Sequence, residues 1–110
     1  MGREALSLMQ GTVDVLILKA LTWAPMHGYG ISQWIHARTD GELAVEDAAL
    51  YQALHRLERK DWVESEWGVS DSHRKAKFYT ITRAGRKQLQ SEVAELRRYV
   101  AALFKILQPA

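Results

Sequence analysis

The chain has 110 residues, which suit one small domain, and its hydrophobic content of 47% and charged content of 25% are ordinary for a folded protein. It contains no cysteine, which excludes disulfides, thiolate metal sites and cysteine nucleophiles and is typical of the cytoplasm. We expect neither a signal peptide nor a membrane span, and the net charge of +2 is too small to indicate a partner.

The first part of the sequence predicts two helices. Residues 12–23 (TVDVLILKALTW) are apolar on nearly every side, which indicates a buried helix, and Pro25 follows its end. After the turn residues of Gly28-Tyr29-Gly30, the spacing of Ile31, Trp34 and Ile35 predicts a shorter amphipathic helix. Residues 1–10 are expected to form an arm or a short helix. A short strand is expected at residues 43–45.

Residues 48–62 (AALYQALHRLERKDW) predict a third helix with two unlike faces. Leu50, Leu54 and Leu57 recur at i, i+4 and i+7, so they form one apolar stripe. The opposite face has no carboxylate and carries small, hydrogen-bonding or cationic residues, namely Ala48, Gln52, His55, Arg56 and Arg59. This face is the first candidate for a binding surface.

The pattern then changes to strands and returns to a long helix. Residues 62–67 (WVESEW) alternate between apolar and polar, and residues 77–82 (KFYTIT) are β-branched and aromatic, so we expect a hairpin. From Thr82 a last helix is expected to reach about Leu107. Its apolar residues are spaced 4, 3, 4, 3, 4, which is a heptad seam formed by Leu89, Val93, Leu96, Val100, Leu103 and Leu107.

The order of these elements is that of a mainly α winged helix-turn-helix domain, residues 1–82, followed by a dimerisation helix, residues 83–110. The charge distribution agrees with contact to nucleic acid phosphates. Between His73 and Lys87 there are six cations and no acid, the cations being Arg74, Lys75, Lys77, Arg83, Arg86 and Lys87. A small domain buries only about two-thirds of its surface, so a second copy would add to its core.

Several blocks in order resemble the PadR family of bacterial transcriptional regulators over about residues 10–90. The most specific are HGYGI at 27–31, LY at 50–51 with AL at 53–54 and RLE at 56–58, KFY at 77–79 and TRAG at 82–85. The family pattern usually has Gly-Ser or Gly-Thr before Leu-Tyr and Pro after it, where this chain has Ala48-Ala49 and Gln52. The single C-terminal helix resembles the compact branch of the family.

The resemblance implies a homodimeric regulator, usually a repressor, whose third helix enters the major groove and whose wing reaches the minor groove or backbone. Gln52 then pairs with adenine, Arg56 with guanine or phosphate, and the Ala48 methyl with a thymine methyl. For Tyr51, a core ring and a phosphate contact are both open. The expected DNA-contacting residues are Tyr29, Ala48, Ala49, Tyr51, Gln52, His55, Arg56, His73, Arg74, Lys75 and Lys77.

Other classes of function have weaker support. The glycines of GYG do not follow a strand in a dinucleotide-binding pattern, and the four histidines lack metal-ligand spacing. No nucleophile motif is present, so we expect a non-enzyme without cofactors. A winged helix that binds protein instead of DNA is the main alternative. Four tryptophans leave a small aromatic effector open, since some relatives bind aromatic molecules between subunits.

Overall fold

The structure, a computed structural model, describes residues 5–8 and 11–109, and in these ranges it has four helices and five short strands. In chain order they are β1 (Leu6–Ser7), α1 (Val13–Leu21), β2 (Met26–His27), α2 (Gly28–Arg38), β3 (Leu43–Ala44), α3 (Asp47–Arg59), β4 (Val63–Val69), β5 (Lys75–Ile81) and α4 (Arg83–Leu107). The predicted mainly α winged helix-turn-helix architecture is confirmed, including the hairpin, the short strand at 43–44 and the last helix.

Helix α1 is the centre of the core and packs against α2, α3 and α4. Its sequence is apolar on nearly every side because it is surrounded: Ile17, Leu18 and Ala20 are fully buried. From α3, the predicted stripe of Leu50, Leu54 and Leu57 is also buried. This packing fixes the orientation of α3, so its polar face must point away from the core.

Two of the strands were not predicted from the sequence. Strand β2 pairs with β5, so the hairpin becomes a three-stranded antiparallel sheet in the order β2-β5-β4. Strand β1 pairs in parallel with β3, with Leu6 beside Leu43. Of the two alternatives expected for residues 1–10, an arm or a short helix, this strand excludes the helix at Leu6–Ser7. Residues 1–4, 9 and 10 of that prediction lie outside the described residues.

Helices α2 and α4 begin with the same type of cap. The His27 Nδ1 atom accepts a hydrogen bond from the Gly30 backbone N–H at 2.9 Å, and the Thr82 hydroxyl accepts one from the Gly85 N–H at 3.0 Å. Thr82 also donates its hydroxyl proton to the Asp61 carbonyl at 2.7 Å, which joins the start of α4 to the turn before β4. The two caps thus fix where both helices leave the small sheet.

Helix α4 belongs to the body of the domain only at its start. Gly85 and Leu89 are buried and Val93 packs against the core, whereas the side chains from residue 94 onward are exposed. The core therefore extends past residue 82, which was the expected end of the winged-helix domain. Residues 94–107 form a helix that continues beyond that core.

Candidate nucleic-acid interface

The face of α3 opposite the leucines is open to solvent and contains no acid. Four exposed residues on it are spaced 4, 3 and 4 apart, so they form one ridge along the helix, namely Ala48, Gln52, His55 and Arg59. We call this the α3 ridge. Ala49, which was expected to contact DNA, is instead partly buried and packs against the core.

A cleft of about 940 Å³ lies beside the α3 ridge, between α3, the start of α2 and the β4–β5 hairpin. Tyr51 and His55 line it from α3, and Tyr29 lines it from α2. Among the described residues around it, three cations face one acid, Asp71; the cations are Arg74, Lys75 and Lys77. The cleft therefore joins the polar side of α3 to the basic hairpin, as the sequence predicted.

The two faces of the hairpin carry opposite charge. Trp67 is directly opposite Lys77, and Val69 is opposite Lys75, so these four side chains share a face. Trp67, Lys75 and Lys77 line the cleft. The other face of β4 carries the exposed residues Glu64 and Glu66. Positive charge is thus concentrated on the side of the hairpin that faces α3.

Cations on the two flanks of α3 already have carboxylate partners. On the flank next to α1, Arg56 Nη2 lies 2.8 Å from Asp14 Oδ1. On the flank next to the hairpin, Lys77 Nζ lies 3.7 Å from Glu58 Oε1. By contrast, Arg74 and Lys75 have no carboxylate partner in the part of the chain that the structure describes. Lys75 lies instead over the ring of Trp67, 5.1 Å from its centroid.

Three tyrosines line the cleft. Tyr29 is 68% exposed and its hydroxyl oxygen accepts a hydrogen bond from Gln33. Tyr51 is 45% exposed and lies against the backbone of Gly28. Tyr79 is buried, and this burial, with smaller contributions from Glu58 and Tyr51, raises the pKa of its phenol above the ordinary value of 10.0. Tyr79 therefore stays uncharged as part of the floor.

His73 occupies the turn of the hairpin in a left-handed conformation, with φ of 60°. It is exposed but does not line the cleft. Of the eleven residues predicted to contact DNA, the structure brings together at the cleft Tyr29, Tyr51, His55, Arg74, Lys75 and Lys77. Ala48 and Gln52 adjoin them on the α3 ridge, and Trp67 is a cleft residue that the sequence prediction did not include.

The four tryptophans do not form one cluster, although Trp23 and Trp34 are in contact, with their ring centroids 6.3 Å apart. Trp34 and Trp62 are partly buried against the core, while Trp23 and Trp67 are 58% and 63% exposed. Arg38 stacks on Trp23, with its Cζ atom 4.5 Å from the ring centroid, and also contacts Trp34. Three of the four therefore lie outside the cleft, which contains only Trp67.

The predicted heptad seam of α4 divides into two parts. Leu89 is buried and Val93 packs on the core, so both are engaged within their own chain. The remaining seam residues are exposed by 36–65%, namely Leu96, Val100, Leu103 and Leu107. They line a groove of about 1150 Å³ that also includes Thr12 and Val15 of the α1 region and the aromatic rings of Tyr99 and Phe104. No tryptophan lines the described part of this groove.

Other kinds of site have no counterpart in the described ranges. No three His, Asp or Glu side chains there are grouped closely enough to hold a metal ion. No helix in residues 5–8 and 11–109 combines the length and apolarity that crossing a membrane requires.

Comparison with known proteins gives concordant results. The model of the transcriptional regulator PadR-like family matches residues 17–91. An uncharacterised protein of Lysinibacillus sphaericus is 34% identical over 88 residues, which are 80% of this chain and 81% of that protein.

Solved structures show the same fold. A transcriptional regulator from Clostridium thermocellum superposes with a TM-score of 0.82 at 28% identity, covering 90% of this chain and 93% of that one. A PadR-family transcriptional regulator from Eggerthella lenta gives a TM-score of 0.76 at 27% identity, with coverages of 92% and 86%.

Proposed function

Because the chain belongs to the PadR-like family of transcriptional regulators, we propose that it is a sequence-specific DNA-binding regulator that acts as a homodimer. Its targets are inverted-repeat operators, and its role is that of a repressor, the usual one in the family that the sequence resembles. Transcriptional regulators of this family are not enzymes. The family that the sequence resembles is bacterial, so the proposed place of action is the cytoplasm.

The observation that carries this proposal is the division of charge between the two faces of the hairpin. Arg74 and Lys75 have no carboxylate partner among the described residues and stand beside the cleft, whereas Glu64 and Glu66 lie on the opposite face. DNA phosphates are attracted to the first face and repelled by the second. The hairpin therefore favours a duplex that lies against the α3 ridge.

The α3 ridge has the composition of a base-reading surface. Gln52 offers one acceptor and two donors, which match the major-groove edge of adenine, and the Ala48 methyl suits contact with a thymine methyl. Neither side chain is engaged in a hydrogen bond or ion pair that the structure describes. We assign sequence reading to these two residues, and assign phosphate contacts to Tyr29, Arg74 and Lys75.

The exposed end of α4 supports the proposed homodimer. Leu96, Val100 and Leu103 are exposed by 36–40%, a large apolar surface for a single helix beyond the core. The groove beside them is bounded by Val15 of α1, so a second α4 seated there buries these exposed apolar side chains. Two α3 ridges in one dimer require half-sites about one helical turn, roughly 10 bp, apart or a multiple of it.

A winged-helix module that binds protein is the second candidate. The exposed apolar end of α4 is its main support, since such a surface marks a protein interface. A protein-binding function does not explain, however, why one face of the hairpin is basic and the opposite face is acidic. The salt dependence of binding to random duplex DNA separates the two candidates.

The test compares Arg74→Gln/Lys75→Gln with Lys19→Gln, which removes an exposed cation from α1. The slope of log affinity against log salt on random duplex DNA is measured for each variant and for the unaltered protein. We expect the double variant to flatten the slope by about two units and Lys19→Gln to leave it unchanged. Equal slopes in all three proteins, or no binding to any duplex, would favour the protein-binding module.

A further inference from the structure

The Asp14–Arg56 ion pair joins α1 to the flank of α3. Its two charged groups are 2.8 Å apart, and the side chains of Arg56 and Asp14 are 43% and 22% exposed. Asp14 lies in the first turn of α1, where the helix dipole favours a carboxylate. Since most of α1 is buried in the core, this carboxylate is held on a rigid support.

Arg56 is also one helical turn from Gln52, so its guanidinium lies beside the α3 ridge. Any phosphate that approaches this flank of α3 must therefore compete with a carboxylate that is already in place. If Arg56 exchanges the carboxylate for a phosphate, the exchange contributes little net binding free energy. The unpaired cations Arg74 and Lys75 are under no such restriction.

We propose that Asp14 withholds Arg56 from the phosphates of non-specific DNA. This inference rests on the proposed function. On random DNA, Arg56 then contacts no phosphate. The number of counterions released on binding is therefore one lower than a count of the cations on this surface predicts.

The test is a cycle of Asp14→Asn, Arg56→Gln and the double variant, with binding to random duplex DNA measured over a range of salt concentrations. Asparagine keeps the size of the side chain and removes its charge. We expect Asp14→Asn to steepen the slope of log affinity against log salt by about 0.9, and to raise random-DNA affinity about threefold to tenfold near 0.1 M salt. Addition of Arg56→Gln should remove this gain.

Arg56→Gln alone should leave the slope on random DNA unchanged, because Asp14 already neutralises the arginine. The Arg56→Gln measurement tests the inference even if Asp14→Asn does not fold. Circular dichroism and thermal unfolding show whether each variant is folded. A slope that flattens by about one unit in Arg56→Gln alone overturns the inference, as does an unchanged slope in folded Asp14→Asn. Absence of duplex binding by the unaltered protein overturns the proposed function, and the inference with it.

Discussion

A Cβ atom on Gly28 would lie 2.6 Å from the hydroxyl oxygen of Tyr51, so the ring of Tyr51 packs directly on the backbone at the start of α2. Glycine is the residue that permits this approach. The contact links the two helices that border the cleft, since Tyr51 comes from α3 and Gly28 begins α2. Residue 28 therefore controls the position of a side chain that faces the proposed DNA.

We expect Gly28→Ala to push the Tyr51 ring toward the cleft and to weaken binding to all duplexes. The cost in stability should be modest, about 1 kcal/mol, because Tyr51 is half-exposed and free to turn. In combination with Tyr51→Ala, the same change should cost nothing further. Urea unfolding of the two single variants and the double variant measures this coupling, and additive effects would contradict the contact.

A second close approach occurs at Gly85, where a Cβ atom would overlap the carbonyl oxygen of Trp62. At an exposed position within a helix, replacement of glycine by alanine raises the free energy of unfolding by about 1 kcal/mol. Here we expect the opposite effect: Gly85→Ala should lower the free energy of unfolding by about 1–3 kcal/mol, because the backbone must shift. Ser91→Ala, at an exposed position of the same helix, is the control and should be neutral or slightly stabilising. The free energy of unfolding in urea distinguishes these outcomes.

The cap on α2 predicts that substitutions of His27 reduce stability to different degrees. His27→Ala removes both the acceptor for the Gly30 N–H and the ring that packs edge-on against Phe78, with centroids 5.2 Å apart. It should cost about 1–2 kcal/mol. His27→Asn restores an acceptor but not the ring, so it should recover part of that loss. If asparagine were no better than alanine in thermal unfolding, the cap would have no energetic role.

The proposed dimer predicts the outcome of charge placement on α4. Leu96→Lys/Leu103→Lys puts two charges on the exposed seam and should give monomers in analytical ultracentrifugation. Ser91→Lys/Ala94→Lys adds the same charge on another face of the helix and should leave dimers intact. A monomer for the unaltered protein, or dissociation by both double variants, would contradict an interface at this seam.

The sequence predicted the elements whose periodicity extends over several turns or strand residues. The stripe of Leu50, Leu54 and Leu57 is buried as expected, and the alternation in WVESEW correctly separated Trp67 from Glu64 and Glu66. Strands β1 and β2 were missed because two residues carry no detectable period and, unlike residues 43–45, neither pair lies in an apolar run. Their positions follow from pairing with distant segments of the chain.

The site was predicted less completely, for reasons of distance and chemistry. The ion pair of Arg56 depends on Asp14, which is 42 residues away, so no local pattern reveals it. The cap at His27 was missed because histidine is not among the residues that usually cap helices. Leu89 fits the heptad spacing, yet it packs inside its own domain. The same spacing occurs in helices that pack within one chain and in helices that pack between chains, so the sequence does not distinguish the two.

The central claim is that the α3 ridge reads DNA sequence, and Gln52→Ala tests it most directly. An operator is first selected from a random duplex pool with the unaltered protein. The affinity of the variant is then measured on that operator and on random DNA. Leu54→Ala, on the buried face of the same helix, serves as the comparison, because loss of core packing, about 2–5 kcal/mol, should lower both affinities together.

We expect Gln52→Ala to lose about 1–3 kcal/mol of binding free energy on the operator. On random DNA it should lose almost nothing, because the phosphate contacts of the wing remain. The ratio of the two affinities is therefore the decisive quantity. If Gln52→Ala lowers both affinities by the same factor, the α3 ridge does not read sequence, and the assignment of α3 as the recognition helix is wrong.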